Sequence, residues 1–267
     1  MPSPSDLDSA GPAARETTAA THRPRVVIVT GAAAGIGASV ASRLAADGTT
    51  IVAVDVNAPQ LQTVVEALPG GGHIAWTADL RELDRHEELM QTAAAAGELV
   101  GLAHLAAHLR RRTSIDEVTE SDWDAQLDTN LKASFFLNRA VAGALIEQGA
   151  GGAIVNFTSQ AWWTGGIGGA VVYAASKGGI VSMSRGLARA LAPHGIRVNT
   201  VAPGFVETEM MLGGLSEQQI EEFRRLVPLG RMAAPEELAS TVAFLLSDEA
   251  SYITGATLNV TGGQLMY

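Results

Sequence analysis

The stretch Arg25-Val-Val-Ile-Val-Thr30-Gly31-Ala-Ala-Ala34-Gly35-Ile36-Gly37 decides the fold. Residues 26–29 are all β-branched and show no polar alternation, as a strand covered on both faces requires. The strand runs into glycines at 31, 35 and 37 and then into a helical stretch over 38–47, with Gly48 as its stop. Strand, glycine turn and helix in this order let a backbone approach a pyrophosphate. Glycine removes the Cβ that would block the ligand, and the helix N-terminus offers free N–H groups and a positive dipole end. The spacing is G-x-x-x-G-x-G, not the commoner G-x-G-x-x-G, and a glycine turn without a ligand is the competing reading.

Working outward, buried strands are predicted over 50–54, 73–77, 100–105, 153–157, 197–201 and 257–260. Between them helices are predicted over 58–68, 82–96, 121–146, 173–192 and 234–247. Ser121-Asp122 supplies a cap and a first-turn acid for the third of these, and Pro235 falls near the first turn of the last. Seven strands alternating with helices, without an internal repeat, predict one α/β domain. It is a doubly wound Rossmann fold: a seven-stranded parallel sheet with helices on both faces and ligands at the carboxyl ends of the strands. The domain is expected to span 25–267, with a substrate loop over about 204–231, after a disordered tail over 1–24.

Composition narrows the function. The hydrophobic fraction of the 267 residues is 47% but only 5% are aromatic, so Ala, Val, Leu and Ile must fill the core. A net charge of −10 argues against nucleic acid or an anionic membrane surface as partner. The chain has no cysteine, which excludes disulfides, thiolate chemistry and Cys-ligated metal. No apolar run approaches the roughly 18 residues of a membrane span, and the first residues lack the apolar centre of a secretion signal. A cytoplasmic location is the expectation.

Asp55 ends the second strand, near the offset at which an acid binds a ribose 2′-hydroxyl. A carboxylate there would repel a 2′-phosphate, and neither Ala32, Ala33 and Ala34 nor Val56 offers a cation to attract one. NAD is therefore expected over NADP. Asp79 holds the equivalent place after the third strand, where it could meet an adenine amino group or serve only as a strand-end turn residue.

Tyr173-Ala-Ala-Ser-Lys177 places a phenol and an ammonium on one helix face, a turn apart. A fixed cation beside a phenol favours the phenolate. Bringing its pKa from about 10 to about 7 takes roughly 4 kcal/mol of differential stabilisation. Ser159, just beyond the apolar strand 153–157, could hold a substrate oxygen against that phenol. Taken alone, the pair reads more readily as a surface contact than as an acid/base.

The ordered series of Thr30-Gly31-x-x-x-Gly35-Ile36-Gly37, Asn130-Leu131, Ser159, Tyr173-Ala-Ala-Ser-Lys177, Arg197-Val-Asn199, Pro203-Gly204 and Thr208 resembles the short-chain dehydrogenase/reductase family over about 25–263. The resemblance implies reversible hydride transfer between nicotinamide and a carbonyl or secondary alcohol, without metal. It implies Tyr173 as general acid/base, Ser159 as partner of the reacting oxygen, Lys177 on the phenol and the nicotinamide ribose, and Asn130 anchoring a water in a proton relay. Gly31, Ala34, Gly35, Ile36, Gly37, Asp55, Asp79, Leu80, His104 and Ala106 would line the cofactor, with Pro203, Gly204, Val206 and Thr208 closing on its carboxamide. Where the family usually has Asn-Asn-Ala-Gly, this chain has His104-Leu-Ala106-Ala107, so His104 either supplies the missing hydrogen bond or merely packs. The serine-to-tyrosine spacing is about one residue longer than the family's, and the extra residue is assigned to the glycine-rich loop before Tyr173. Relatives are mostly tetramers, so a homotetramer or homodimer is expected through helices 121–146 and 173–192, with Ala174, Ala188 and Ala192 as a close-packing face.

The substrate half is less readable. Gln160, Trp162 and Trp163, the 165–169 loop and the excursion from Phe205 to Leu229 are candidate walls, with Gly213-Gly214 as a candidate hinge. Arg110-Arg111-Arg112 is a basic cluster in an acidic chain, and Arg110 is the candidate for binding an anionic substrate, against the alternative of ion pairing on the surface. The leading expectation is an NAD-dependent dehydrogenase of a small secondary alcohol, polyol, sugar or hydroxy acid. A 3-oxoacyl-thioester reductase is the alternative within the same chemistry, and an NAD-binding regulator or scaffold without turnover the alternative outside it.

Overall fold

The structure is a computed structural model and describes residues 23–166, 169–213 and 215–267. Most of the expected tail, residues 1–22, lies outside the described residues, as do 167–168 of the candidate wall and Gly214 of the candidate hinge.

Strands β1 (Arg25–Thr30), β2 (Thr50–Asp55), β3 (Ile74–Thr77), β4 (Glu98–His104), β5 (Gly152–Phe157), β6 (Ile196–Pro203) and β7 (Thr257–Val260) form one parallel sheet. Their order is β3-β2-β1-β4-β5-β6-β7, so the chain reverses its direction of winding between β1 and β4. The uninterrupted apolar strands now have their reason. Val27 and Val29 point into one core while Val26 and Ile28 point into the other, and Ile51 and Ala53 divide from Val52 and Val54 in the same way.

The helices are α1 (Gly35–Ala46), α2 (Ala58–Glu66), α3 (Arg85–Ala96), α4 (Glu120–Leu127), α5 (Ala133–Gln148), α6 (Ala161–Thr164), α7 (Val171–Leu191), α8 (Glu209–Leu212), α9 (Glu217–Arg225) and α10 (Pro235–Leu246). Val40 and Leu44 of α1, Leu61 of α2 and Leu238 and Val242 of α10 fill the first core. Leu89 of α3, Leu137 and Val141 of α5 and Ala188 of α7 fill the second. A third, small cluster of Phe205, Val227 and Met232 lies under the excursion after β6.

The helix expected over 121–146 is divided: a π-helical turn, Asp128–Lys132, separates α4 from α5. Its start also differs. Thr119, not Ser121, is the cap, because its Oγ accepts from Asp122 N at 3.1 Å while Asp122 Oδ2 accepts from Thr119 N at 3.1 Å. The helix expected from 82 begins at Arg85, since residues 82–84 are spent on turns closed by Glu82 N to Asp79 O and Arg85 N to Glu82 O. The loop after β5 holds the short helix α6. Ala174 and Ala188 are buried within the chain and pack against its own interior, so they form no outward close-packing face.

Gly37 is fixed by space. A Cβ there would sit 2.0 Å from Gly31 O, across the turn from β1 to α1. Gly37→Ala is therefore expected to lower stability in denaturant unfolding by about 1–3 kcal/mol. Gly143→Ala is the control: it lies in α5 with no atom within 4 Å of the added methyl. That variant is expected to be neutral or more stable by up to about 1 kcal/mol.

Candidate active site

Because all strands are parallel, Thr30, Asp55, His104, Phe157 and Pro203 end at one edge of the sheet. The edge is built around the switch between β1 and β4. Gly31, at φ +68°, lies so close to the exit of β4 that a Cβ would be 2.9 Å from Ala106 N. Gly35 opens α1 beneath Thr208, whose Cγ2 would be 3.2 Å from an added Cβ. Ala34 caps α1 without a side-chain hydrogen bond, and the first turn carries no acid. Its leading N–H groups are thus available to a phosphate. Asp55 Oδ2 accepts from Ala33 N at 3.1 Å and Oδ1 from Asn57 N at 3.0 Å, so the carboxylate is tied to the glycine turn. A cradle that any Cβ would fill, an uncapped helix start and a carboxylate beside them fit a dinucleotide.

Other expected cofactor residues are placed differently. Asp79 is clasped by Arg81, with Nε 3.0 Å from both carboxylate oxygens, and this hydrogen bonding holds its pKa below the ordinary value. Leu80 packs its side chain into the second core. His104 is not free to meet a ribose. Its Nδ1 is 2.8 Å from Thr30 Oγ1 and its Nε2 is 2.7 Å from Ser134 Oγ. The partners fix the tautomer. The Ser134 hydroxyl donates to Asn130 O at 2.6 Å, so Nε2 carries the proton and donates to Ser134. Nδ1 then accepts from the Thr30 hydroxyl, whose oxygen in turn accepts from Leu105 N and Ala106 N, each at 3.1 Å. Burial, aided by the charge of Lys177, pushes the pKa of His104 down to about 3, so the ring is neutral.

The expected acid/base residues meet at the ends of β5 and β6. Ser159, Tyr173, Gln160, Gly204 and Phe205 line one cavity of about 310 Å³. Lys177 is 2% exposed, and its Nζ donates to Phe157 O at 2.8 Å. Thr158 Oγ1 donates to Lys177 O at 2.8 Å, fastening the strand end to α7. Asn130 sits on the π-helical turn. Its Nδ2 donates to His108 O at 2.9 Å and to Ser176 Oγ at 3.0 Å, and its Oδ1 accepts from His108 N at 2.7 Å. The side chain is a clamp between the segment after β4 and α7. A larger cleft, about 710 Å³, opens at the opposite edge of the sheet beside Arg25, Glu98 and Ile196 and holds none of these groups.

Electrostatics in the cavity run against the expectation of a phenol drawn down by its lysine. Burial pushes Tyr173 up to about 12, opposed by its hydrogen bond with Ser159 and by the charge of Arg111. Burial pushes Lys177 down to about 7. The physical reason is position: Nζ is 5.5 Å from the Tyr173 ring centre and turned to the Phe157 carbonyl. Each group resists the charged form in a poorly solvated site.

Three expected substrate residues are displaced by their packing. Trp162 and Trp163 do not line the cavity. Trp163 stacks on Tyr267 with ring centres 5.1 Å apart, and Trp162 meets the same ring edge-on at 5.5 Å. Arg110 Nε lies 3.3 Å from Asp122 Oδ1, and Arg112 reaches the same carboxylate with Nε 2.8 Å from Oδ2. Arg111, between them, lines the cavity. Gln160 does line it, 7% exposed, with Oε1 free of any partner among the described residues. Sequence reasoning passed over Ser134, and named Arg111, Met211 and Phe223 only as members of the arginine run and of the excursion after β6. Nothing in the sequence separates Arg111 from its two neighbours; the separation comes from Asp122, which both of them reach.

A glycine turn that fits a nucleotide, beside a cavity lined by Ser159 and Tyr173 with Lys177 one turn further along α7, is the arrangement expected of an oxidoreductase of alcohols and ketones, and likeness to known proteins agrees. Residues 31–264 match a family model described as enoyl-(acyl carrier protein) reductase. The chain is 36% identical over 254 residues to the (3R)-3-hydroxyacyl-CoA dehydrogenase of Rattus norvegicus, covering 91% of this chain and 97% of that protein. It is 37% identical over 241 residues to the D-threitol dehydrogenase of Mycolicibacterium smegmatis, covering 90% and 92%. Actinorhodin polyketide ketoreductase, solved with NADPH, superposes with a TM-score of 0.85 at 31% identity, covering 91% and 98%. The chain belongs to the short-chain dehydrogenase/reductase family.

Lys177 gives a test by pH. The unfolded chain holds this proton to about pH 10.5, the folded chain only to about 7. The unfolded state therefore binds more protons between those values, and stability should rise with pH across that window, by at most about 1.4 kcal/mol per pH unit. Tyr173 acts in the opposite sense, but only above its ordinary value of 10. Melting curves from pH 7 upwards to the onset of tyrosine titration should show this slope in the wild type and lose it in Lys177→Met. An unchanged slope would place the lysine outside its buried site.

Proposed function

We propose that the protein interconverts a secondary alcohol and its ketone with NAD(H), using Ser159, Tyr173 and Lys177. The observation that carries this reading is their convergence at the edge of the sheet that also holds the cradle of Gly31, Gly35 and Gly37. A bound nicotinamide supplies the hydride acceptor for oxidation and the donor for reduction. The turn over Gly31, Ala34, Gly35, Ile36 and Gly37 would hold its pyrophosphate, Asp55 its adenosine ribose, and the Pro203, Gly204, Val206 and Thr208 segment its carboxamide end.

The protein groups do the rest. In oxidation the Tyr173 oxygen takes the alcohol proton, and in reduction it returns one to the carbonyl oxygen. Ser159 Oγ donates a hydrogen bond to that oxygen and fixes its distance from the phenol. Lys177, one turn along α7 from Tyr173, would favour the phenolate when protonated, and Asn130 holds the π-helical turn and α7 in register. A phenol that keeps its proton to about pH 12 is present in the acid form that reduction needs, while its use as a base gains with alkalinity. The unit acting in this way spans 25–267, with 204–231 as its substrate loop. Exposed Trp123 on α4 and Phe135 on α5 support pairing of chains through that face, as a homodimer or homotetramer. No helix among the described residues is long and apolar enough to cross a membrane.

NAD over NADP rests on Asp55, which brings a negative charge to the place of a 2′-phosphate. Reduction of a 3-oxoacyl thioester is the second reading, favoured by the acyl-thioester names among the relatives.

Two variants test the reading. Tyr173→Phe should keep cofactor binding, read by quenching of tryptophan fluorescence, and lose about 10²- to 10⁴-fold in kcat. Substantial residual turnover would remove Tyr173 from the acid/base role. Asp55→Asn keeps an acceptor for Ala33 N while removing the charge. Its ratio of NADPH to NADH kcat/KM should rise at least about tenfold, the scale of a hydrogen bond to a charged group. An unmoved ratio would place cofactor choice elsewhere.

A further inference from the structure

The run Arg110-Arg111-Arg112 is divided by what its side chains meet. Arg110 and Arg112 both reach Asp122, which is 6% exposed and whose pKa the Arg112 guanidinium holds well below the carboxylate range. The backbone is anchored on both sides of the middle residue: Arg110 N donates to Gln126 Oε1 at 3.0 Å and Arg112 N to Gly169 O at 3.4 Å. With alternate side chains held on one side, Arg111 is left facing the other, as in extended chain. That side is the cavity of Ser159 and Tyr173.

Within the cavity Arg111 is the one ionisable side chain besides Tyr173 among the described lining residues. It forms no ion pair among the described residues, although eleven such pairs occur elsewhere. Its charge reaches the reacting centre, where it pulls the Tyr173 phenol down against the effect of burial. The rest of the wall is mostly apolar: Leu109, Ala161, Phe205, Met211, Leu215 and Phe223. A guanidinium beside an apolar wall binds a carboxylate by charge-assisted, two-pronged hydrogen bonds.

We infer that Arg111 is an anion-binding, specificity-determining residue, and that the substrate is a hydroxy acid or its oxo acid with a free carboxylate and an apolar body. This rests on the dehydrogenase reading above and narrows its substrate class. Arg111 holds the carboxylate while Ser159 and Tyr173 hold the reacting oxygen, so the spacing between the two groups selects the substrate. The buried Asp122, gripped by the neighbouring arginines, positions Arg111 without touching substrate.

The test compares medium-chain hydroxy acids with their methyl esters under NAD. In the wild type kcat/KM should favour the acids, and Arg111→Ala should lose about 10- to 100-fold more with an acid than with its ester, mainly in KM. Arg111→Lys should recover part of that loss, and Arg110→Ala, which disturbs the loop without removing the cavity cation, should affect acid and ester alike. Equal losses on acid and ester in Arg111→Ala overturn the inference while leaving the dehydrogenase reading intact. A loss confined to phosphopantetheine thioesters also overturns it, because the anion would then lie on a carrier arm. Should neither acid nor ester turn over, the dehydrogenase reading fails separately. The anion site is then read by the melting shift that hexanoate, but not hexanamide, produces in the presence of NAD. Its loss in Arg111→Ala supports the site; an equal shift in both proteins refutes it.

Discussion

One buried hydrogen-bond chain with a single direction holds the two halves of the site together. It runs from the Leu105 and Ala106 amides through the Thr30 hydroxyl to His104 Nδ1. From His104 Nε2 it continues through Ser134 to the Asn130 carbonyl. Thr30 ends the strand that feeds the glycine turn, and Asn130 belongs to the π-helical turn that braces α7 through Ser176, next to Lys177. Thr30, His104, Asn130 and Ser134 are each at most 2% exposed. An unmade hydrogen bond at such a depth costs about 1–3 kcal/mol, so the chain holds each member in one rotamer and one tautomer. Ser134, in the first turn of α5, donates back to the carbonyl four residues before it and so ends the chain on the π-helical turn.

The same depth sets the chemistry. Tyr173 and Lys177 are both pushed towards their neutral forms, the phenol up and the amine down. Neither charged form is strongly solvated there, so both groups rest neutral at mildly alkaline pH. Arg111 lines the cavity beside Tyr173, and its charge opposes the effect of burial on the phenol.

Much of the fold was legible because a parallel sheet leaves a coarse mark: short β-branched runs without alternation, each followed by a helical pattern. Gly31 and Gly37 were legible for a steric reason, since backbone lies within 3 Å of where their side chains would begin. Family resemblance brought Asn130, Ser159, Tyr173 and Lys177 forward, and the structure gathers them at one end of the sheet. What resisted reading depends on partners distant in sequence. His104 is separated from Thr30 by 74 residues and from Ser134 by 30, and no local pattern announces either contact. Trp162 and Trp163 suggested a pocket wall, but the ring that covers them is Tyr267, at the far end of the chain. Arg110 was chosen over Arg111 because a run of like charges carries no phase. The phase is set by Asp122 and by the backbone anchors on Gln126 and Gly169.

The division between readable chemistry and unreadable substrate has a structural cause. Tyr173, Lys177 and the glycine turn are mounted on elements that also build the two large cores, so their sequence is constrained by packing as well as by reaction. Part of the cavity wall, Phe205, Met211 and Phe223, belongs to the third cluster, where it packs with Val227, Met232 and Ile220. Helix α9 within it is capped by its own Ser216–Gln219 box and closes a turn with little help from the sheet. That segment can change its apolar side chains while the sheet, the buried hydrogen-bond chain and the acid/base pair stay as they are. A substrate is therefore recognised where the fold imposes least, and its identity must be read from the few polar groups aimed into the cavity.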